Sequence, residues 1–349
     1  MTTTAFLSHL LFAAVLFFIS ILITRFMILR LYVIDVPTER SSHNLPTPKS
    51  GGIAIVTAFS VGVLAIFMIA EKAMIMKPYF FGFVFSSLLI AGISFYDDLK
   101  SRPFTFKLTA QFLAVAVVLA SGLIIDEIVL PFSGIVVLGW LSYPVTLLWI
   151  LGLTNAFNFM DGLDGLAAGA AVIASAFLCI ITYNQGSLFV YITCYALFAG
   201  ILGFLVYNFP PARIFMGDVG SAFIGFCFAV LAVIAARYDH SHTSYFVIPL
   251  LLFNFIYDTS FTLVRRFLKG ERLVEAHKSH LYQLFNRIGY SQRFVSLFHY
   301  CVCIVQGLAA FWMAGLPGSK RLYAFLPFLV FQIVYSWIIM RSAKKAGLL

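Results

Sequence analysis

Gly220-Ser221-Ala222-Phe223-Ile224-Gly225-Phe226-Cys227-Phe228-Ala229-Val230-Leu231-Ala232-Val233-Ile234-Ala235-Ala236-Arg237 decides what kind of protein this is. No residue from Gly220 to Ala236 is charged, and at about 1.5 Å per residue such a helix is close to the ~20 residues that cross a bilayer's hydrocarbon. It is apolar on every side, so no face is left for water. Ten further stretches read the same way: Ala5 to Ile28, Gly51 to Ala70, Tyr79 to Tyr96, Phe106 to Ile125, Leu141 to Asn158, Leu166 to Tyr183, Leu188 to Phe209, Ser244 to Val264, Phe294 to Gly315 and Leu322 to Met340. The whole chain agrees. Its 349 residues are 62% hydrophobic and 11% charged, and its mean hydropathy is +0.98, more apolar surface than a water-soluble core can hide. The expectation is an all-α, polytopic integral membrane protein of about eleven spanning helices. Residues 1–349 form one transmembrane domain, since so many spans leave no room for a separate soluble one.

The first apolar run is too long for a cleaved signal peptide, and Arg25 and Arg30 follow it instead of preceding it. It is read as a permanent helix with its N-terminus outside. Alternate loops then place 18 of the 23 Lys and Arg residues on one side, which the positive-inside rule makes cytoplasmic, together with the C-terminus. The net charge of +9 is accounted for by this sorting and by attraction to anionic headgroups, and nucleic-acid binding is not expected. Positive-inside sorting does not demand an acidic bias. Yet ten of the fourteen acids share the basic side: Asp35, Glu39, Asp97, Asp98, Asp161, Asp164, Asp218, Asp258, Glu271 and Glu275. Function explains that better than topology. The five cysteines all fall within apolar spans and are read as packing residues, neither disulfides nor metal ligands.

Four cytoplasmic segments carry the chemistry. Phe95-Tyr96-Asp97-Asp98-Leu99-Lys100 sets two adjacent carboxylates where hydrocarbon meets water, a costly arrangement unless a cation or proton relieves it. Lys107 and Gln111 at the start of the next span would point to the same place; alone, Lys107 would be a snorkelling anchor. Asn155-Ala156-Phe157-Asn158-Phe159-Met160-Asp161-Gly162-Leu163-Asp164-Gly165 combines amides and carboxylates able to hold sugar hydroxyls, a uracil edge or a cation with glycines that admit close approach. It lacks the remaining ligands of a calcium loop. Phe215-Met216-Gly217-Asp218-Val219-Gly220-Ser221 sets Asp218 just ahead of a helix start, either as an N-cap or beside a bound anion. The longest loop, Arg265 to Arg293, holds His277-Lys278-Ser279-His280 among seven basic residues, suited to pyrophosphate and weak as a zinc pattern. His43, beside Arg40 and Lys49, is a lesser candidate. With no P-loop, dinucleotide fingerprint or nucleophile elbow present, phosphoryl transfer to a membrane-embedded acceptor fits best.

These motifs resemble those of the polyprenyl-phosphate N-acetylhexosamine-1-phosphate transferases, the superfamily that includes the phospho-N-acetylmuramoyl-pentapeptide transferases. The resemblance runs from Pro37-Thr38-Glu39-Arg40 and Pro48-Lys49-Ser50-Gly51-Gly52 to Gly289-Tyr290. It implies attack of polyprenyl phosphate on the sugar-linked phosphorus of a UDP-N-acetylhexosamine, with release of UMP. By motif match, Asp218 would be the principal Mg²⁺ ligand, a place Mn²⁺ could also fill. Asp97 and Asp98 would serve lipid-phosphate deprotonation or support the metal. Asn155, Asn158, Asp161, Asp164 and Phe215 would line the nucleotide pocket, with Phe215 stacking on uracil. Lys49, Lys107, His277 and His280 would contact phosphates or sugar. The resemblance further implies a bacterial inner membrane with the site facing the cytoplasm, and is compatible with a homodimer. The peptidoglycan enzymes carry three adjacent histidines where this chain has His277-Lys278-Ser279-His280, a pattern similar to the branch that initiates O-antigen and related envelope polysaccharides. An eleventh helix also fits that branch. The rival class, a cation-coupled transporter, would place its acids near the midplane within an internal repeat; here they sit at helix ends and no repeat is seen.

Overall fold

The computed structural model describes residues 3–30, 33–36, 46–70, 73, 75–100, 102–273 and 277–349. The Pro37-Thr38-Glu39-Arg40 motif, His43 and Glu275 lie outside these residues. The described chain is almost wholly helical: α1 (Thr3–Arg30), α2 (Gly52–Ile69), α3 (Lys77–Lys100), α4 (Phe104–Ala120), α5 (Ser142–Phe159), α6 (Leu166–Gln185), α7 (Leu188–Asn208), α8 (Gly217–Val233), α9 (Val247–Leu251), α10 (Phe253–Leu268), α11 (Leu281–Arg287), α12 (Gln292–Ala314) and α13 (Leu326–Lys345). Two short antiparallel ribbons accompany them, β1 (Ile34–Asp35) with β2 (Thr47–Pro48), and β3 (Glu127–Leu130) with β4 (Gly134–Val137).

Eight of the expected spans coincide with helices long and apolar enough to cross a membrane, and the fourth is the shorter apolar α4. The fifth forms the 18-residue α5, which falls outside that set because Asn155 and Asn158 lower the hydropathy of its second half. The ninth differs from expectation. Ser244 to Val264 is not one helix but α9 and α10, which meet at Leu252. Pro249 falls in the first turn of α9, where its missing N–H costs no intrahelical bond, so it fits the start of that helix. The second half turns its polar residues inward: Asn254, Asp258, Thr259, Thr262 and Arg266 are buried, while Val264, Phe267 and Leu268 are exposed. This inside-out amphipathicity is what a lipid-facing helix requires.

The run that opened the sequence reading is the hub. Every residue of α8 from Val219 to Val233 is buried, and the helix packs against α2, α3 and α5. Small residues permit this, since helices surrounded by lipid associate through close packing and not by expelling water. At the α2–α8 crossing a Cβ on Gly52 would come within 2.3 Å of the Gly220 backbone. All five cysteines are free, and only Cys301 is exposed.

Candidate active site

The C-terminal ends of α3 and α5 and the N-terminal ends of α2, α4 and α8 meet at one end of the bundle around a cavity of about 470 Å³. Two sequence-distant motifs build its floor. The amides of Gly51 and Gly52 donate to the carbonyls of Phe215 (2.9 Å) and Met216 (2.8 Å), and the Phe215 amide donates to Pro48 O (2.8 Å). The Pro48–Gly52 segment is therefore stitched edge to edge against the Phe215–Ser221 motif. Gly217 adopts φ +71°, and a Cβ there would meet Asp98 Oδ2 at 2.5 Å, so only glycine fits the turn.

The adjacent carboxylates Asp97 and Asp98 take different places. Asp98 is buried and accepts the backbone N–H of Asp218 (3.2 Å, Oδ1) and of Val219 (3.2 Å, Oδ2), with the Ser50 hydroxyl donating to Oδ2 (3.3 Å). Amides in a helix's first turn have no intrahelical acceptor and carry the positive end of its dipole, so a carboxylate there is stabilised. Asp98 thus anchors α8 and orients its neighbour Asp218. Sequence placed Asp218 just ahead of the helix, as an N-cap or beside a bound anion; the helix instead begins at Gly217, and the carboxylate that accepts its first amides is Asp98 of α3. Asp97 accepts the Arg102 amide (2.7 Å) and pairs with Lys107 Nζ (2.7 Å), which also bonds Asp218. One ammonium therefore bridges two carboxylates from α3 and α8.

Asn158 completes the setting of Asp218, its amide nitrogen donating to Asp218 Oδ1 (3.0 Å) and Ser221 Oγ (2.8 Å). Asp164 braces the rim: Oδ2 accepts the Ala212 amide (2.9 Å). Asp161 differs from all of these. Its carboxylate accepts no hydrogen bond among the described residues, and burial, then the charges of Asp218, Asp98 and Asp164, hold its pKa well above the usual carboxylate range. The folded state therefore binds this proton more tightly than the unfolded chain does. The resulting penalty on folding is absent at low pH and grows as pH rises above the unfolded value. Asp161→Asn should accordingly raise the melting temperature of the ligand-free protein at neutral pH, with the gain vanishing toward pH 4, while turnover falls. A melting temperature unchanged at every pH would show that Asp161 carries no such penalty.

Nine of the twelve residues singled out from sequence line this cavity: Lys49, Asp97, Asp98, Lys107, Asn158, Asp161, Asp164, Phe215 and Asp218. Asn155 lies behind it, in an adjoining smaller cavity, in a reciprocal amide pair with Gln111 (2.7 and 3.3 Å). His277 and His280 do not line it. His280 is the residue before α11, its ring stacked on that of His277 at 4.9 Å and its Nδ1 bonded to buried Asp258 at 3.1 Å. Burial, reinforced by His280, Arg266 and Arg265, pushes His277 down to about 4, so it is neutral at physiological pH and supplies no positive charge.

Asp258 also accepts the amides of Leu281 (2.9 Å) and Tyr282 (3.0 Å), which makes it the anchor of α11. That helix seats Tyr282 on the carbonyl of Phe159 (2.9 Å) and brings Gln283 to the cavity wall. Asp258→Asn should free α11, because it removes the acceptor charge from a group only 1% exposed, at a cost of about 2–4 kcal/mol. Faster proteolysis between residues 269 and 290, with the transmembrane bundle intact, is the expected result; an unchanged digestion pattern would remove the assignment. Sequence reasoning missed Gln283 together with Asp35, Arg102, Asn208 and Ser221. Of these only Arg102, four positions after Asp98 and five before Lys107, carried a usable signal.

Comparison with known proteins shows the family. Residues 80–236 match the family described as Glycosyl transferase family 4. The chain is 32% identical, over 81% of its length and 77% of the relative's, to a probable undecaprenyl-phosphate N-acetylglucosaminyl 1-phosphate transferase of Bacillus subtilis. It is 32% identical to the decaprenyl-phosphate N-acetylglucosaminephosphotransferase of Mycobacterium leprae, over 82% and 77% of the two chains. A phospho-N-acetylmuramoyl-pentapeptide-transferase of Listeria monocytogenes is 31% identical over a smaller share, 54% and 61%.

Proposed function

This chain belongs to the polyprenyl-phosphate hexosamine-1-phosphate transferases of glycosyl transferase family 4, and from that premise we propose that it transfers N-acetylhexosamine 1-phosphate from a UDP-sugar to a polyprenyl phosphate. A lipid phosphate oxygen forms a new bond to the sugar-linked phosphorus. The bond from that phosphorus to the oxygen of the departing UMP breaks, and polyprenyl-diphosphate sugar remains. The observation that carries this reading is the bridge of Lys107 between Asp97 and Asp218 at the mouth of a cavity set where spanning helices end. A water-soluble nucleotide and a lipid phosphate can meet only at such a boundary.

The charge balance calls for a cation. Six carboxylates and three cationic side chains line the cavity among the described residues, so a diphosphate entering without further positive charge would be repelled. No three His, Cys, Asp or Glu side chains converge as a preformed metal cage among those residues. That fits Mg²⁺, which keeps waters and binds through one or two carboxylates plus substrate phosphates. Asp218 and the unpartnered Asp161 are the residues that would hold it, and its chemistry would be charge neutralisation at the phosphates. Lys107, Lys49 and Arg102 balance the remaining phosphate charge. Asp97, tied to Lys107, is placed to take the lipid-phosphate proton, while Asp98 is a positioning residue. Phe215 offers a ring for the base, and Asn158, Asp164 and Gln283 offer polar contacts to nucleoside and sugar.

The donor is a UDP-N-acetylhexosamine and not a muramoyl-pentapeptide, in keeping with the longer reach of the N-acetylglucosamine relatives along the chain. The setting is initiation of an O-antigen or other envelope polysaccharide at the cytoplasmic face of the inner membrane. The test is purified protein with polyprenyl phosphate, Mg²⁺ and a panel of UDP-N-acetylhexosamines, with UMP and lipid product measured. UMP release that stops with EDTA and returns with Mg²⁺ or Mn²⁺ is expected. Absence of UMP from every donor would end the proposal.

A further inference from the structure

At the opposite end of the bundle, α4 and α5 are joined by the β3–β4 hairpin, which presents an apolar face to the outside. Phe132 at its tip is 96% exposed, and Ile135 and Val137 on β4 are 64% and 73% exposed. Trp140 and Tyr143, leading into α5, are also exposed. No charged residue occurs between Glu127 and Asp161. A connection that ran through water would not be built this way, because turns facing solvent favour Gly, Asn and Asp and a contiguous apolar patch is costly there.

The tip sharpens the point. Phe132 has φ +69°, a left-handed backbone that bulky residues rarely adopt and that glycine or asparagine would accept more easily. A large ring is thus kept in an unfavourable conformation and directed away from the protein. The other side of the hairpin is held firmly. Arg237 forks onto Asp126 (3.1 Å) and Glu127 (2.7 Å), and the Tyr238 hydroxyl accepts from the Ile124 amide (3.1 Å) and donates to its carbonyl (3.0 Å). Val129 packs on Gly318 so closely that a Cβ there would lie 2.7 Å from it.

We infer that the hairpin is a membrane-interface element whose Phe132, Ile135 and Val137 enter the headgroup–acyl boundary of the leaflet opposite the cavity. The lipid is favoured as occupant because the hairpin joins the apolar helix α4 to α5 within the helical bundle, and because Trp140 and Tyr143 sit where interfacial aromatics belong. The Arg237 fork fixes the wedge to the end of α8, so the depth of the hairpin sets the depth of the hub helix.

The experiment uses the full chain in phosphatidylcholine–phosphatidylglycerol nanodiscs. Cys301→Ser removes the exposed thiol, the other four being buried, and Phe132→Cys carries an environment-sensitive fluorophore. Ile135→Cys is a second position on the same face should the first fold poorly, and Lys269→Cys, in the exposed turn after α10, is the water reference. At the hairpin positions we expect blue-shifted emission, severalfold stronger quenching by headgroup-proximal nitroxide lipid than at position 269, and severalfold weaker quenching by iodide. Iodide quenching equal to that of the reference would overturn the inference. A blue-shifted label reached by neither quencher would place a second copy of the chain there and overturn it equally. Neither result depends on the reaction proposed above.

Discussion

Asp218→Asn is expected to lower UMP release by on the order of 10³-fold, the effect of removing a charge aimed at reacting phosphates, while leaving the protein folded. Its side chain is 28% exposed and bonds both Lys107 and Asn158. The substituted amide keeps the oxygen that accepts from Asn158, so the local shape survives. It loses the negative charge that a divalent cation needs and that Lys107 shares with Asp97. Measurement of UMP release against Mg²⁺ concentration, with thermal unfolding in detergent as control, checks both halves. Wild-type turnover in a folded variant would remove Asp218 from the proposed site. Asp98→Asn should behave differently, destabilising the start of α8 as well as slowing turnover, because it removes the charge and leaves one acceptor oxygen where the Asp218 and Val219 amides use two.

Gly52→Val should be the most damaging change outside the carboxylates. A Cβ at this position would fall 2.3 Å from both the Cα and the N of Gly220 and 2.9 Å from Met216 O. These are backbone atoms of the hub helix that cannot rotate aside. Relief requires α2 to move off α8, which would break the Gly51 and Gly52 bonds to the Phe215 and Met216 carbonyls and carry Lys49 away from the cavity. Overpacking of a dense core typically costs 1–3 kcal/mol, and with these bonds lost about 3 kcal/mol or more is expected. The readout is the yield of monodisperse protein from membranes and its melting temperature; a variant of normal stability would show that the crossing is looser than described.

The membrane architecture was legible because its cause is local. A helix in hydrocarbon satisfies its own backbone, so an uncharged stretch of sufficient length reveals itself without knowledge of its neighbours. The break at Leu252 escaped for the complementary reason. The Ser244 to Val264 stretch is apolar enough throughout, and only the inward pointing of Asp258 and its companions distinguishes its second half. Much of the cavity was legible too, since carboxylates, amides and Lys107 at membrane edges are expensive unless something uses them.

What composition could not distinguish was an acid facing a cavity from an acid holding a helix. Asp98 holds α8, Asp258 holds α11, and Asp239, which accepts the Ser187 hydroxyl (2.7 Å) and the Val190 amide (3.0 Å), holds α7. In each case the capped amides lie more than 20 residues from the acid along the chain. Adjacent in sequence, Asp97 and Asp98 look equivalent; 100° of helical rotation separates their directions, and only the packing of α3 on α8 gives one to Lys107 and the other to backbone amides. The histidines taught the same lesson, with His280 bound inward to Asp258 and the cavity contact passing to Gln283. Hydrophobic length, basic asymmetry and motif order therefore determine a multi-pass transferase with its polar groups on one side. Which of those groups face a substrate is set by long-range capping and helix contact, because a carboxylate's partner is chosen by three-dimensional proximity and not by its neighbours in the chain.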